Sequence, residues 1–266
     1  MDKHILYHDL LEAIQHDQCP VCHLVEDRMK RTIQVLVREG AADGETVASY
    51  VRAKGFCNTH AWQVKEAGNP ASQAVLYRAL LEEHKAALKT YLRRRSGRLE
   101  KSTGLNRLRS LLHISLLEME RTSDETKEYL NSFASDEPCP LCITLDAAER
   151  RYVEGCVDYF EGDEEFRERY RNRGILCHPH FRRMVEEHAH RGGAQQLMEI
   201  QLDRLDLYIA HLREIERRSY LPYSEEQHAA YRGGWTRAVR LEVGSPGTDT
   251  QYKRRVDDQK SALIKP

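Results

Sequence analysis

The chain has no surplus charge of either sign. Its 41 Lys and Arg residues are matched by 42 Asp and Glu, for a formal net charge of -1. No global field is therefore available to recruit nucleic acid or an anionic membrane. A long apolar run is also missing at the start. Acidic residues interrupt MDKHILYHDLLEAIQ, so it reads neither as a signal peptide nor as a membrane span. The motifs G-x-G-x-x-G, P-loop and G-x-S-x-G do not occur, which removes the commonest nucleotide and acyl-transfer signatures. Glu186 and Glu187 precede His188 and His190, but the order does not make H-E-x-x-H. With no export signal, the seven cysteines are expected to be reduced in a cytoplasmic protein, where metal thiolates are a simpler account than disulfides.

What is present occurs twice. Cys19-Pro20-Val21-Cys22 is followed, 35 residues after Cys22, by Cys57-Asn58-Thr59-His60. Cys139-Pro140-Leu141-Cys142 is followed, again 35 residues after Cys142, by Cys177-His178-Pro179-His180. Each ligand-type residue of the second set lies 120 positions after its counterpart. Six of the seven cysteines are used in this way. Three thiolates and an imidazole form a compact tetrahedral set for a soft cation. The spacing predicts two Zn²⁺ per chain, one on Cys19, Cys22, Cys57 and His60, the other on Cys139, Cys142, Cys177 and His180. An iron–sulfur cluster is the rival, because Cys3His also ligates iron. A redox disulfide at the Cys-Pro-x-Cys pairs comes third, against the helical context and the additional Cys57 and Cys177. His178 has Asn58 at its matching position and His23 has Ile143, so both read as neighbours of the ligands. Cys156 matches Leu36, an apolar helical position, and reads as a small buried hydrophobe.

Around these pairs the pattern is helical, and the fold class expected is mostly α: duplicated helical bundle units, each pinned by a Cys3His metal site. Ile5, Leu6, Leu10, Leu11 and Ile14 mark a short helix over 3–15, and Leu24 to Val37 a second over 24–38. A turn and a short helix are read over 41–50. A helix starts at Cys57 and runs to Glu66. A long one over 71–95 has Ala74, Tyr77, Leu80, Leu81, His84, Leu88 and Leu92 as its inner face, with Arg93-Arg94-Arg95 at its C-terminal end. Ser96 to Gly104 reads as a linker, and Leu105 to Met119 as a connecting helix. The second unit repeats the plan. Leu197, Ile200, Leu205, Tyr208 and Leu212 mark its last helix, more naturally core than cofactor box. Pro222 ends that pattern, a short helix is read at 224–231, Thr236 to Val243 as a short strand, and the rest as a polar tail. The domain division is 1–96, 97–122, 123–220 and 221–266.

The pattern CPVC … GFCNTH, repeated as CPLC … ILCHPH, resembles an uncharacterised bacterial family of helical proteins with duplicated Cys-Pro-x-Cys and Cys-x-x-His elements. The resemblance covers residues 3–216. It implies a cytoplasmic zinc-site fold and carries no activity. The second copy departs from the Gly-Phe-Cys form, since Gly174 stands one place earlier than the counterpart of Gly55.

Function classes remain open at this level. The favoured one is a non-enzymatic binding or scaffold protein, its helices held by zinc and its partner another protein. An enzyme or redox protein would use an open metal position or the extra His178, but four protein ligands at each site leave no obvious room for substrate. No catalytic residue is assigned. Nucleic-acid binding is hinted at by 91–102 and by Lys253-Arg254-Arg255, but acidic residues dilute both and no aromatic interleaving accompanies them. The sequence leaves the oligomeric state and the role of Trp235 open.

Overall fold

The structure is a computed structural model that describes residues 5–111, 124–135, 137–218 and 237–246. It is mostly α, and no strand occurs among the described residues. The elements run α1 (Ile5–Ala13), α2 (Pro20–Glu39), a 3-10 turn (Gly40–Ala42), α3 (Gly44–Arg52), α4 (Asn58–Glu66) and α5 (Pro70–Leu111). They continue as α6 (Asp124–Asn131), α7 (Pro140–Gly162), α8 (Glu164–Arg173), α9 (His178–His188) and α10 (Gly192–Arg218). The helices start in step: Pro20 and Pro140, Gly44 and Glu164, Asn58 and His178 are each 120 positions apart.

The chain forms two compact units that do not follow sequence order. Ile33–Leu141 is one unit, inserted within the other, which comprises Met1–Thr32 and Cys142–Pro266. The first boundary falls inside α2 and the second inside the first turn of α7. The 1–96, 97–122, 123–220, 221–266 division therefore describes sequence segments, whereas the compact units take helices from both halves.

In the outer unit, α1 lies against α7 at a glycine. A Cβ at Gly155 would sit 3.0 Å from Leu6 Cδ2 and 3.2 Å from Leu10 Cδ1. Tyr7, fully buried, donates to Asp163 Oδ1 at 2.8 Å. The same carboxylate caps α8 by accepting from the Phe166 N–H at 2.9 Å, so one acid serves both a capping role and α1 docking. Phe160, Phe166, Tyr170, Leu145, Met184 and Leu197 complete this core.

The inner unit packs α3 on α5 through Tyr50, Leu76 and Leu80, joined by Val47, Val51, Phe56 and Tyr77. Asp43 caps α3 by accepting from the Thr46 N–H at 3.0 Å. The helix then ends in a left-handed pair, Lys54 at φ 57° and Gly55 at φ 95°. At Gly55 the positive φ favours glycine, and a Cβ would also meet Leu80 Cδ2 closely, at 3.1 Å. Further along α5, Tyr91 stacks on Tyr129 of α6 at 4.7 Å, and Arg94 pairs with Glu128 at 2.5 Å.

Several expectations are corrected. Helices α2 and α7 begin at Pro20 and Pro140, inside the Cys-Pro-x-Cys pairs, rather than after them; proline suits the first helical position, where its missing N–H costs nothing. Ser96 to Gly104 is no linker, for α5 runs unbroken through it to Leu111. No proline falls between Pro70 and Pro138, and two glycines at about 1 kcal/mol each do not stop a helix rich in Leu, Lys, Arg and Glu. Arg93 to Arg95 are accordingly mid-helix. Leu80 is buried, but Leu81, Leu88 and Leu92 are exposed, so the inner face of α5 is narrower than its periodicity suggests. Residues 237–243 are helical instead of a strand, in keeping with the Ala, Arg, Leu and Glu they contain. The end of the connecting helix beyond Leu111, the short helix at 224–231, Trp235 and the tail from 247 lie outside the described residues.

Candidate metal centres

All four ligand pairs sit at helix N-termini. Cys57 is the N-cap of α4 and Cys177 the N-cap of α9, both in extended conformation, at φ -63°, ψ 164° and φ -68°, ψ 158°. Their carbonyls accept the first helical bonds, from Ala61 N–H at 2.9 Å and Phe181 N–H at 2.8 Å. Cys19 stands in the same relation to α2, accepting from His23 N–H at 3.1 Å, and Cys139 immediately precedes α7. The second ligand of each pair lies three residues on, on the same face of the first turn. Helix N-termini favour negative charge, so four first turns are set to hold thiolates.

The structure assembles these pairs into two groups, each with its four ligand atoms within 4.8 Å of one another: Cys19, Cys22, Cys177 and His180, and Cys57, His60, Cys139 and Cys142. All eight predicted residues are brought together, but the expected pairing is overturned. Each Cys-Pro-x-Cys meets the Cys-x-x-His from the other half, and the two groups are nested in the sequence. From Cys22, α2 carries the chain 17 residues to Glu39, about 25 Å at 1.5 Å per residue. The nine residues of α3 follow, ending in the left-handed pair Lys54 and Gly55 before Cys57.

The outer group is completely buried: Cys19 is 6%, Cys22 1%, Cys177 1% and His180 2% exposed. Cys22 and Cys177 sulfurs are 3.5 Å apart, and His180 Nδ1 lies 3.1, 3.4 and 3.5 Å from Cys177, Cys22 and Cys19. A tetrahedral ion with the usual zinc bond lengths needs edges of about 3.8 Å between sulfurs and about 3.6 Å from sulfur to nitrogen. The donors fit that cage with small relaxation. In the inner group His60 Nδ1 is 3.3 Å from Cys57 and 3.6 Å from Cys139. His60 is buried, whereas Cys57 is half-buried. Cys142 lies just beyond the boundary of the inner unit, on the first turn of α7 that Cys139 precedes.

Electrostatics favour a cation in both groups. Burial pushes the Cys19 thiol up, while hydrogen bonds from Cys177 and Cys19 hold Cys22 far below the ordinary thiol range. Burial pulls the His60 imidazole down, but Cys139 and Cys57 outweigh it and raise it to about 9. Thiols this close cannot all ionise alone, and a divalent cation among them satisfies every donor at once.

Beyond the ligands, the outer group has a buried charged support that sequence reasoning missed. His180 Nε2 faces Glu149 Oε1 at 3.8 Å, and both are about 2% exposed. Glu149 Oε2 accepts from Arg183 at 3.0 Å, and Arg183 also donates to Asp146 at 2.6 Å. Carboxylates that orient ligand imidazoles are a recurrent feature of metal sites. Gln201, 4% exposed, holds the approach to Cys177 by accepting from Leu176 N–H at 3.1 Å and donating to Leu176 C=O at 2.8 Å. A signal for Glu149 existed: it falls on the buried stripe Leu145, Glu149, Val153, Val157, where an acid needs a partner.

Other tempting residues stand apart. His178 is exposed and lies 3.3 Å from Glu242. His23 stacks on His16 at 4.1 Å. Cys156 is 0% exposed, its thiol pushed up by burial to about 12. Near the inner group, Arg52 is engaged by Glu45 and Glu137, and Lys54 by Glu83.

No helix among the described residues is long and apolar enough to cross a membrane. No solved structure matches the chain. It is similar to an uncharacterized 23.9 kDa protein in the xynA 3' region of Caldicellulosiruptor sp. (strain Rt8B.4), with 20% identity over 241 residues, 89% of this chain and 100% of that protein. A family model matches residues 1–218, the span that holds all eight candidate ligands, and the chain belongs to that family of unknown function, DUF6062.

Proposed function

We propose that this is a cytoplasmic, zinc-held helical scaffold that binds another protein, built from a duplicated five-helix unit, with structural rather than catalytic metals. One observation carries the reading: each group supplies four protein donors from two helix N-termini, which fills a tetrahedral shell and leaves no position for substrate. The matched helix starts at an offset of 120 support the duplication. The exposed Leu81, Leu88 and Leu92, at helical spacing on α5, support a protein partner. When bound, Zn²⁺ would supply charge neutralisation and a rigid tie between helix ends. The chain's own residues do the rest: first turns present the ligands, Glu149 orients His180, and Gln201 fixes the loop before Cys177.

Elemental analysis and an absorption spectrum of anaerobically purified protein test this. The expected result is two zinc atoms per chain and no visible bands. Stoichiometric iron with sulfur-to-iron charge-transfer bands would overturn it.

A further inference from the structure

Beside the outer group lies a cleft of about 310 Å³ formed by the α1–α2 turn, the end of α8, α10 and the helical segment 237–243. Three guanidiniums line it: Arg173, Arg204 and Arg237. Arg237 is engaged by Asp17, which lines the same cleft. Arg173 and Arg204 have no carboxylate partner among the described residues. Each spends an N–H on a main-chain carbonyl instead, Arg173 on Gln15 at 3.4 Å and Arg204 on Arg171 at 2.6 Å. A guanidinium has five N–H donors, so most of theirs remain for a ligand. The carbonyl contact of Arg204 orients its side chain before any ligand arrives, and Arg204 is half-buried on α10, whereas Arg173 is exposed.

The charges do not cancel locally. Three Arg set against Asp17 leave two positive charges. A divalent cation on the three thiolates of the adjacent group would subtract one more, and one still remains uncompensated. The aromatic surfaces of Tyr208 and His16 add flat, partly polar walls. The volume is at the lower end of small-molecule sites.

We propose that this cleft is a binding site for a small oxyanion-bearing molecule, a phosphate monoester or a carboxylate, held by Arg173 and Arg204. Planar, forked guanidiniums suit both groups through paired N–H···O bonds. The site is independent of whether the metals are structural, because the donors are arginines and no metal ligand takes part.

The test is calorimetric titration of the full chain, with its metals bound, using inorganic phosphate and separately succinate. Ionic strength is held constant with sodium chloride. The expected result is saturable binding of one anion per chain by at least one probe. Arg173→Gln and Arg204→Gln should each weaken that binding about tenfold or more, with metal content unchanged. Arg182→Gln, on α9 and paired with Glu186, should have no effect. Phosphate alone binding assigns the phosphate class, and succinate alone the carboxylate class. Should Arg204→Gln fail to fold, Arg173→Gln and Arg204→Lys decide the matter, since Arg173 is exposed and lysine keeps the charge but loses the fork. A response that never saturates, or equal affinity in Arg173→Gln and wild type, would overturn the proposal.

Discussion

Serine scanning in pairs distinguishes nested from sequential ligand sets without any coordinates. Cys22 and Cys177 belong to one group, and Cys57 and Cys142 to the other. With two zinc ions in the wild type, Cys22→Ser, Cys177→Ser and the double variant of those two should each retain one. The double variant Cys22→Ser, Cys57→Ser should retain none. A sequential arrangement gives the reverse, one zinc for Cys22→Ser with Cys57→Ser and none for Cys22→Ser with Cys177→Ser. The stability consequence follows from mass action. An ion present at about a thousand times its dissociation constant stabilises the folded state by about 4 kcal/mol. For a chain of this size that is about 8–16 °C in thermal midpoint. Serine also leaves a polar hydroxyl at a site only 1% exposed in the case of Cys22, which adds to the loss. Two serines in one group should cost little more than one, because the metal is already gone, while serines in different groups should add. The assay is zinc by elemental analysis alongside melting curves for the wild type, the singles and the two doubles. Retention of one zinc by Cys22→Ser with Cys57→Ser refutes the nested arrangement. A variant that loses zinc and keeps the wild-type midpoint refutes a structural role.

Other perturbations probe the supports. Glu149→Gln keeps the volume but weakens the acceptor facing His180, and should reduce zinc affinity of the outer group about 10- to 100-fold while sparing the inner group, read by chelator competition. Gln201→Leu removes both side-chain bonds to Leu176 and should cost about 2–3 kcal/mol in denaturant unfolding; no change in midpoint would show that the loop before Cys177 is held otherwise. Gly155→Leu drives a side chain into Leu6 and Leu10 and should cost about 1–3 kcal/mol, seen as a lower midpoint with both metals retained. Asp146 is penalised by burial, but Arg183 and Arg150 outweigh this and hold its carboxyl below the ordinary carboxylate range. Its contribution is therefore present above the unfolded value of about 3.9 and lost as pH falls through the lower folded value. Asp146→Asn should flatten the acid limb of the stability profile there.

The parts of the fold that were legible are those governed by local chemistry. Gly40, Gly68 and Gly174 punctuate the chain where helices end, and the eight ligands are picked out by residue type and spacing. The pairing was not legible, because an offset of 120 residues is equally consistent with Cys19 and Cys22 meeting Cys57 and His60 or meeting Cys177 and His180. The three-dimensional placement of the helix starts decides between those, and the apolar pattern alone starts α2 four residues late. Ser96 to Gly104 misled for a related reason: glycine and serine signal a break only when nothing around them insists on helix. Glu149 and Gln201 escaped because a polar residue within an apolar stripe looks like noise until its partner, His180 or the Leu176 backbone, is known.

Loop entropy does not explain the nested arrangement, and comparing magnitudes shows why it need not. Joining Cys22 to His60 would close 38 residues, whereas Cys22 to His180 closes 158 and His60 to Cys139 closes 79. The logarithmic cost of lengthening the outer loop from 38 to 158 residues is about 1 kcal/mol. Zinc binding is common to both pairings, so a difference of about 1 kcal/mol gives the nearer pair no decisive advantage. Helices α2 and α7 each start at a ligand pair and carry the chain away from it. A ligand pair at the head of a long helix can be completed only by a second helix start delivered to the same place. For the outer group that is α9, and for the inner group α4. Both are short helices whose N-cap residues, Cys177 and Cys57, are in extended conformation. Shortening α2 by one or two whole turns between Cys22 and Glu39 would leave the outer group's own residues untouched, since Cys19 and Cys22 lie in its first turn. The variant should therefore keep the outer zinc, and loss of that zinc would show that the far end of α2 helps to place Cys22.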